Sequence, residues 1–284
     1  MLECAGFLLS RRPCPLFLFN QRPFLILLFS LSAASAYAAP CGEATSTGLR
    51  VETIDERLEI SLEDGRRLRL AGVESPRPSA ADPARPARTR DQLRAWLMKP
   101  GMLVNLELLA AAPDRWNRLP ARLFAPGGEG SLQSVGEAIV EAGLARAEID
   151  ALARPCLRPL LALEAKARRE RLGLWSDPTF AVMSAADRDA LALRAAEVLM
   201  VEGRVSAVGS AGGRIYMNFG PIRTVDFAAT VARNNVAAFE KSGLSLQSLS
   251  GKTLRLRGLM ETQFGPQIEL MDPEAIEITL REGN

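Results

Sequence analysis

The chain has 284 residues, 48% of them hydrophobic, which bounds it to one or two globular domains with a core of ordinary size. It contains no histidine, so a histidine base or a histidine metal ligand is excluded; acid–base work falls to carboxylates, Lys, Tyr, Cys or a metal-bound water. The formal net charge is +2, and once residues 1–38 with Arg11, Arg12, Arg22 and Glu3 are set aside, 32 basic and 32 acidic residues remain, so any nucleic-acid attraction must come from a local basic patch.

Residues 1–38 do not read as folded structure. Arg11, Arg12 and Arg22 precede an apolar run from Phe24 to Leu31, and small residues then lead to Ala36-Tyr37-Ala38, an A-x-A cleavage pattern. The run is too short for a spanning helix, which needs about 20 residues. We read an export signal cut near Ala38, which predicts a periplasmic or secreted protein with no stable membrane span in the mature chain. Cys4 and Cys14 fall inside that segment, leaving Cys41 and Cys156. In an exported protein the simplest outcome is one disulfide between them, the alternative being two buried or unpaired thiols.

Leu58, Ile60 and Leu62 alternate with polar residues and predict a half-buried strand. Glu63-Asp64-Gly65 predicts a hairpin turn, and Leu68, Leu70 and Gly72 continue the alternation on the return strand. Residues 76–90, with four prolines, read as a loop, followed by a helix over 89–98 stopped by Pro100-Gly101. Residues 102–109 and 118–125 read as strands. Ser131 is expected to cap a helix ending at Gly143, and a longer helix covers about 155–171. Lys166, Arg168, Arg169 and Arg171 at its end read as a solvated face. Residues 184–196 suggest a helical linker, within a predicted division into 39–180, 181–198 and 199–284. In the last unit, strands are expected at Val201, 204–208, 215–219, 224–227, 254–259 and 267–271, with a turn at 209–213 and a helix over 231–242. Strands around one helix suit a small OB-like barrel. No internal repeat is visible in the residues.

Three motifs carry a family resemblance: Leu68-Arg-Leu-Ala-Gly-Val-Glu-Ser-Pro76, Asp114-Arg-Trp-Asn-Arg118 and Gly173-Leu-Trp175. In this order and spacing, together with 137–145 and 156–167, they resemble the thermonuclease (staphylococcal-nuclease-like) family over roughly residues 48–176. The resemblance implies a mainly β fold with α: a five-stranded OB-type barrel with three helices, cleaving DNA and RNA with Ca²⁺. In active relatives two aspartates and a backbone carbonyl hold the ion, a glutamate activates water, and two arginines bind the scissile phosphate.

Carried onto this chain, the resemblance places the phosphate arginines at Arg69 and Arg118, and the metal positions at Glu56, Glu74 and the Ser75 carbonyl. Asp55 is the competing first ligand; Glu56 is preferred because it shares strand parity with Leu58, Ile60 and Leu62. The base position falls on Arg77, which cannot accept a proton at neutral pH. Losing a general base typically costs about 10²–10⁴-fold. Arg69 and Arg118 are equally readable as structural ion-pair partners of Glu56 and Glu74, and Asp114 and Trp116 as turn and barrel-packing residues.

The second unit, through 251–258 and 265–277, resembles OB-type nucleic-acid-binding domains found behind some bacterial thermonuclease-like domains. That resemblance points to single-stranded nucleic acid, with Tyr216, Arg214, Arg223, Arg255 and Arg257 as candidate contacts. Phe219 and Phe227 read as barrel core. The leading expectation is an exported thermonuclease-like protein with weak or degenerate Ca²⁺-assisted phosphodiester hydrolysis. The alternative is a catalytically inactive nucleic-acid- or partner-binding envelope protein.

Overall fold

The computed structural model describes residues 41–279. The expected export signal at 1–38 lies outside the described residues, as does the end of the chain from 280. Among the described residues no helix is long and apolar enough to cross a membrane.

The first half is a rolled antiparallel sheet with one parallel pairing. Its strands are β1 (Ser46–Leu49), β2 (Val51–Ile54), β3 (Glu59–Leu62) and β4 (Arg67–Leu70), with a short β5 (Val73–Glu74) after a turn at Gly72. Helix α1 (Arg85–Leu97) leads into β6 (Val104–Leu108), β7 (Leu119–Pro126) and β8 (Leu132–Ser134). The hydrogen-bonded order is β1-β6-β7-β4-β3-β2, with β8 beside β7 and with β4 and β7 parallel. The two ends of that path, β1 and β2, are one segment bent at Arg50, so the sheet curls until its edges belong to the same strand. Leu62, Leu68, Val104, Leu106 and Leu123 fill the inside, and α1 adds Leu93 and Leu97.

Helix α2 (Val135–Glu141), strand β9 (Arg146–Ala147) and helix α3 (Arg154–Arg169) complete this half. The cap of α2 is Ser134, whose Oγ accepts from the Glu137 N–H at 3.3 Å, rather than Ser131. Ser131 instead donates to the Gly128 carbonyl in the preceding turn. Helix α1 begins four residues earlier than the proline content suggests, because Pro86 sits in its first turn, where no N–H is required. Cys41 and Cys156 form a disulfide with a Cα–Cα distance of 5.5 Å, tying the chain ahead of β1 to the start of α3.

The second half begins with β10 (Met183–Ser184), the short helix α4 (Arg188–Ala192), β11 (Val198–Arg204), β12 (Ala207–Ala211) and β13 (Arg214–Asn218). It continues through β14 (Ala228–Ala232), helix α5 (Val236–Lys241), β15 (Thr253–Glu261), β16 (Gln267–Glu269) and β17 (Ile276–Thr279). The path β11-β15-β16-β14-β13-β12 repeats the strand order of the first half. Again one segment, β11 with β12, is bent in the middle and supplies both ends; again the third and fifth strands, β14 and β16, are parallel. Again a helix separates the third strand from the fourth. The chain therefore carries a topological repeat with no matching residue pattern.

Two expectations shift here. Residues 224–227 form a turn instead of a strand, organised by Asp226, whose carboxylate accepts from the Ile222 N–H at 2.8 Å, with Thr224 at φ 64°. The strand lies over 228–232, so the helix expected over 231–242 shrinks to α5. The linker helix shrinks likewise to α4, because residues 183–184 pair in parallel with β11.

The outer face of β11 and β15 packs on α3. Met200 meets Ala167, Leu174, Trp175 and Phe180 in a small apolar cluster. Arg257 on β15 donates through Nη1 to the Ala147 carbonyl at 2.6 Å and to Glu164 Oε1 at 3.2 Å, and its Nη2 meets Glu164 Oε2. Arg168, expected as part of a solvated basic end, instead bonds Glu277 at 3.0 Å.

Candidate functional site

A cleft of about 300 Å³ opens where β3, β4 and the β5–β9 ribbon meet. Arg57, Glu59, Arg69, Glu74, Ser75, Arg77, Arg118 and Glu148 contribute to its wall. Adjacent strands supply most of them. Glu59 lies directly across β3–β4 from Arg69, and Arg118 immediately precedes β7, which runs parallel to β4. Glu74 lies across the β5–β9 ribbon from Arg146. The ribbon reaches the cleft because the chain turns sharply at Gly72, with φ 75°. A Cβ there would stand 2.9 Å from the Ala153 Cβ at the start of α3.

Of the positions expected from the sequence, Arg69, Arg118, Glu74, Ser75 and Arg77 come together in this one cleft. Glu56 does not: its carboxylate points to Arg90 of α1, at 2.9 Å. The parity argument that favoured it fails because Leu58 has φ 59°, so the alternation of β3 does not extend back through that residue. Asp55 is also occupied. Its Oδ1 accepts from the N–H groups of Arg57 and Glu59, at 2.9 and 2.8 Å, holding the bend that turns Arg57 toward the cleft. Arg57, Glu59, Glu148 and Asp150 were not readable as site residues, since none stands in a motif that sequence reasoning recognised.

Each wall carboxylate meets a guanidinium. Arg69 bonds Asp150 at 2.9 Å and Glu148 at 3.3 Å. Arg118 bonds Glu59 at 2.8 Å and Asp114 at 2.8 Å. Glu74 carries the most guanidinium contacts. Arg146 grips both of its oxygens at 2.8 Å, and Arg77 adds a third contact at 2.8 Å. Arg146 and Arg77 also donate to the Val198 carbonyl of β11, at 3.1 and 3.5 Å, so the second half of the chain helps hold them over Glu74. Glu148 stands apart: its side chain is exposed, and Arg69 reaches one of its oxygens at 3.3 Å, the longest of these ion pairs. Arg57 faces the same space with no carboxylate partner for its side chain among the described residues.

Residues 67–177 match the family model of the staphylococcal nuclease homologues. The chain carries a staphylococcal-nuclease-like domain. No curated protein matches the chain. The nuclease-like domain suggests nucleic-acid binding, and it raises the question of calcium, on which the family generally depends.

The donors of the nuclease-like domain do not fit that ion. Calcium takes about six to eight oxygen ligands, mostly carboxylate, carbonyl or water. Here both Glu74 oxygens are taken by guanidinium nitrogens, Glu56 is turned away to Arg90, and residue 77, where the resemblance leads one to expect the base, is an arginine. Arginine cannot serve as base or as ligand. Among the described residues no group of three or more Cys, Asp or Glu side chains is arranged to hold a metal. On the cleft wall, Arg77 and Arg146 both contact Glu74.

The candidate contacts of the second half are scattered. Arg257 is buried against α3, and Arg255 is bound to Glu202 and Glu277, at 2.5 and 2.9 Å, so neither is placed for nucleic acid. The cause lies in the packing: the outer face of β15, solvent-facing in an isolated barrel, is covered by the nuclease-like domain. Arg214 pairs with Glu269 at 2.8 Å, and the half-buried Tyr216 of β13 lies across from Gly209 of β12 and the buried Thr230 of β14. Arg223 is exposed in the 219–227 turn. Phe227 is buried as expected, and Phe219 packs against it with ring centroids 5.1 Å apart.

Proposed function

We propose that the nuclease-like domain binds the phosphodiester backbone of nucleic acid in its arginine cleft without calcium, and that the family's calcium-dependent hydrolysis is lost in this chain. The observation that carries this reading is the Arg146–Glu74–Arg77 cluster. A carboxylate at a metal position, held by two guanidinium groups, presents positive charge where a cation would otherwise sit. Guanidinium forks match phosphate oxygens in pairs. Arg69 and Arg118 offer them, and Arg57 adds a cation with no carboxylate to displace. Phosphate entering the cleft replaces Glu148 at Arg69, the weakest of the existing contacts. Hydrolysis lacks both of its partners, since neither a metal-bound water nor a base at residue 77 is available to generate the nucleophile.

The same reading takes the protein to work outside the cytoplasm. The Cys41–Cys156 bond supports an oxidising compartment, and the A-x-A pattern at 36–38 supports export.

The test is direct. Labelled single-stranded DNA and RNA are offered to the purified protein with Ca²⁺ or with EDTA, beside Arg69→Ala and Arg118→Ala. The expected result is binding equal in both buffers, weakened about 10- to 100-fold by either substitution as charged hydrogen bonds are lost, with no cleavage. Calcium-dependent cleavage, or no binding at all, overturns it.

A further inference from the structure

Trp116, expected to pack the barrel, is instead exposed on the turn beside the cleft. A separate group of open apolar side chains lies in the second half of the chain. Phe264 is 65% exposed and Ile222 53%, and Val225 is exposed as well. They sit on two neighbouring loop tips, the β13–β14 connection over 219–227 and the β15–β16 hairpin around Phe264. The tips touch backbone to backbone, for a Cβ on Gly265 would lie 2.3 Å from the Thr224 carbonyl oxygen. At their base the Ala228 N–H donates to the Pro266 carbonyl at 3.1 Å.

The first tip is held in a strained shape. Thr224 is β-branched yet takes φ 64°, a left-handed conformation that such residues rarely adopt. Asp226 enforces it: its carboxylate accepts from the Ile222 N–H at 2.8 Å, and its own N–H donates to the Ile222 carbonyl at 2.9 Å. Strain of this kind persists only where the surroundings over-determine it, and it concentrates at binding segments. Here its result is that Ile222, Arg223 and Val225 stand open to solvent. The free charge at the tips has one sign. Asp226 is taken up by the loop backbone and by Arg188 at 3.5 Å, and residues 262–266 carry no charge. Arg223 is exposed with no carboxylate partner among the described residues.

We propose that these two tips dock the protein on an anionic phospholipid surface, with Phe264, Ile222 and Val225 entering the headgroup layer and Arg223 meeting lipid phosphate. Apolar side chains on loop tips gain burial there without a matching concave partner, and a cation near an anionic leaflet adds attraction. A protein partner fits less well. A specific interface buries roughly 800 Å² on each side, far more than three partly open side chains supply. The inference does not depend on the reading of the cleft.

The experiment is co-sedimentation of the purified protein with vesicles of phosphatidylcholine, alone or with an equal part of phosphatidylglycerol. The proteins are wild type, Phe264→Ser with Ile222→Ser, Phe264→Trp, Arg223→Gln, Met271→Ser and Arg69→Ala. Met271 is as exposed as Phe264 but follows the end of β16 far from the hairpin, so it controls for general adhesion. Wild type is expected to bind the mixed vesicles. The double change weakens that binding by about tenfold or more, as the lost burial of two apolar side chains requires, while Phe264→Trp and Met271→Ser bind as wild type does. Arg223→Gln removes no packing and reads the same contact if the double change fails to fold; it weakens binding to the mixed vesicles by about fivefold. Absence of binding by wild type overturns the proposal, as does equal binding by wild type, the double variant and Arg223→Gln. Loss of binding in Arg69→Ala alone also overturns it, since the lipid phosphate then sits in the cleft. If sedimentation velocity shows a wild-type dimer that the double change makes monomeric, a second copy covers the tips and the proposal fails.

Discussion

Arg257 of β15 and Glu164 of α3 form an ion pair that is 6% and 0% exposed by side chain, deep between the two rolled sheets. Burying two charges is costly, and the mutual attraction repays that cost only when the remaining donors are satisfied. Here the Ala147 carbonyl accepts from Arg257, and Glu164 accepts from the Ala147 N–H at 3.1 Å. Removing one partner strands the other: Arg257→Ala or Glu164→Ala is expected to cost about 3–5 kcal/mol in urea unfolding. The double change Arg257→Met with Glu164→Leu is expected to cost less than either single change, since it strands no charge, but not to reach wild type, since the buried Ala147 N–H and carbonyl lose these partners. Equal loss in single and double variants contradicts this.

Asp114 offers a pH test of the turn that presents Trp116. A hydrogen bond from Arg118, assisted by the backbone N–H groups of Arg118 and Trp116, lowers its carboxyl from 3.8 to about 2. A depressed carboxylate stabilises the fold above its unfolded value and loses that contribution as pH falls through the folded one. Wild type should therefore lose part of its stability between about pH 4 and pH 2, and Asp114→Asn should lack that part of the slope. The two Tm profiles should converge at the acid end. Parallel profiles across that window contradict the assignment.

Gly143 and Gly173 pack backbone to backbone. Each has positive φ, 67° and 51°, and a Cβ on Gly143 would lie 2.3 Å from the Leu172 carbonyl oxygen. The Leu174 N–H also donates to the Gly143 carbonyl at 2.9 Å, so the contact cannot simply open. Gly143→Ala is expected to cost at least the left-handed penalty of about 1–2 kcal/mol, lowering Tm by several degrees. An unchanged Tm contradicts it.

Much of the cleft was legible because its residues stand in short motifs. Arg69, Glu74, Ser75 and Arg77 lie within nine residues, and a strand–turn–strand segment fixes their relative placement locally. Glu56 falls outside the cleft because a single left-handed residue, Leu58, breaks a parity that the residue types suggest. Arg257 reads as a candidate nucleic-acid contact because alternation separates the two faces of a strand without revealing that a second sheet domain covers the outer one. The repeat of strand order stayed hidden for a related reason: it resides in pairing between distant segments, which many residue patterns satisfy. Residues 224–227 carry strand-forming residues, yet Asp226 bonds the local backbone and makes a turn instead.

The disulfide ties residues 115 apart in sequence. Closing so long a loop restricts the unfolded chain, and its removal is expected to cost about 2–5 kcal/mol. Because Cys41 precedes β1, the loss should fall on the nuclease-like half. Thermal unfolding with and without a reductant, beside Cys41→Ser with Cys156→Ser, measures it. A Tm that is insensitive to both contradicts it.

The central claim is that guanidinium groups occupy the cation position at Glu74. The direct measurement is calorimetric titration of Ca²⁺ into the purified protein, with Tm followed over the same concentrations. The expected result is no saturable heat and no rise in Tm, because a ligand that binds only the native state must raise its stability. Saturable calcium binding that raises Tm and is abolished by Glu74→Gln would show that the carboxylate releases Arg146 and Arg77 for a metal, and the claim would fall.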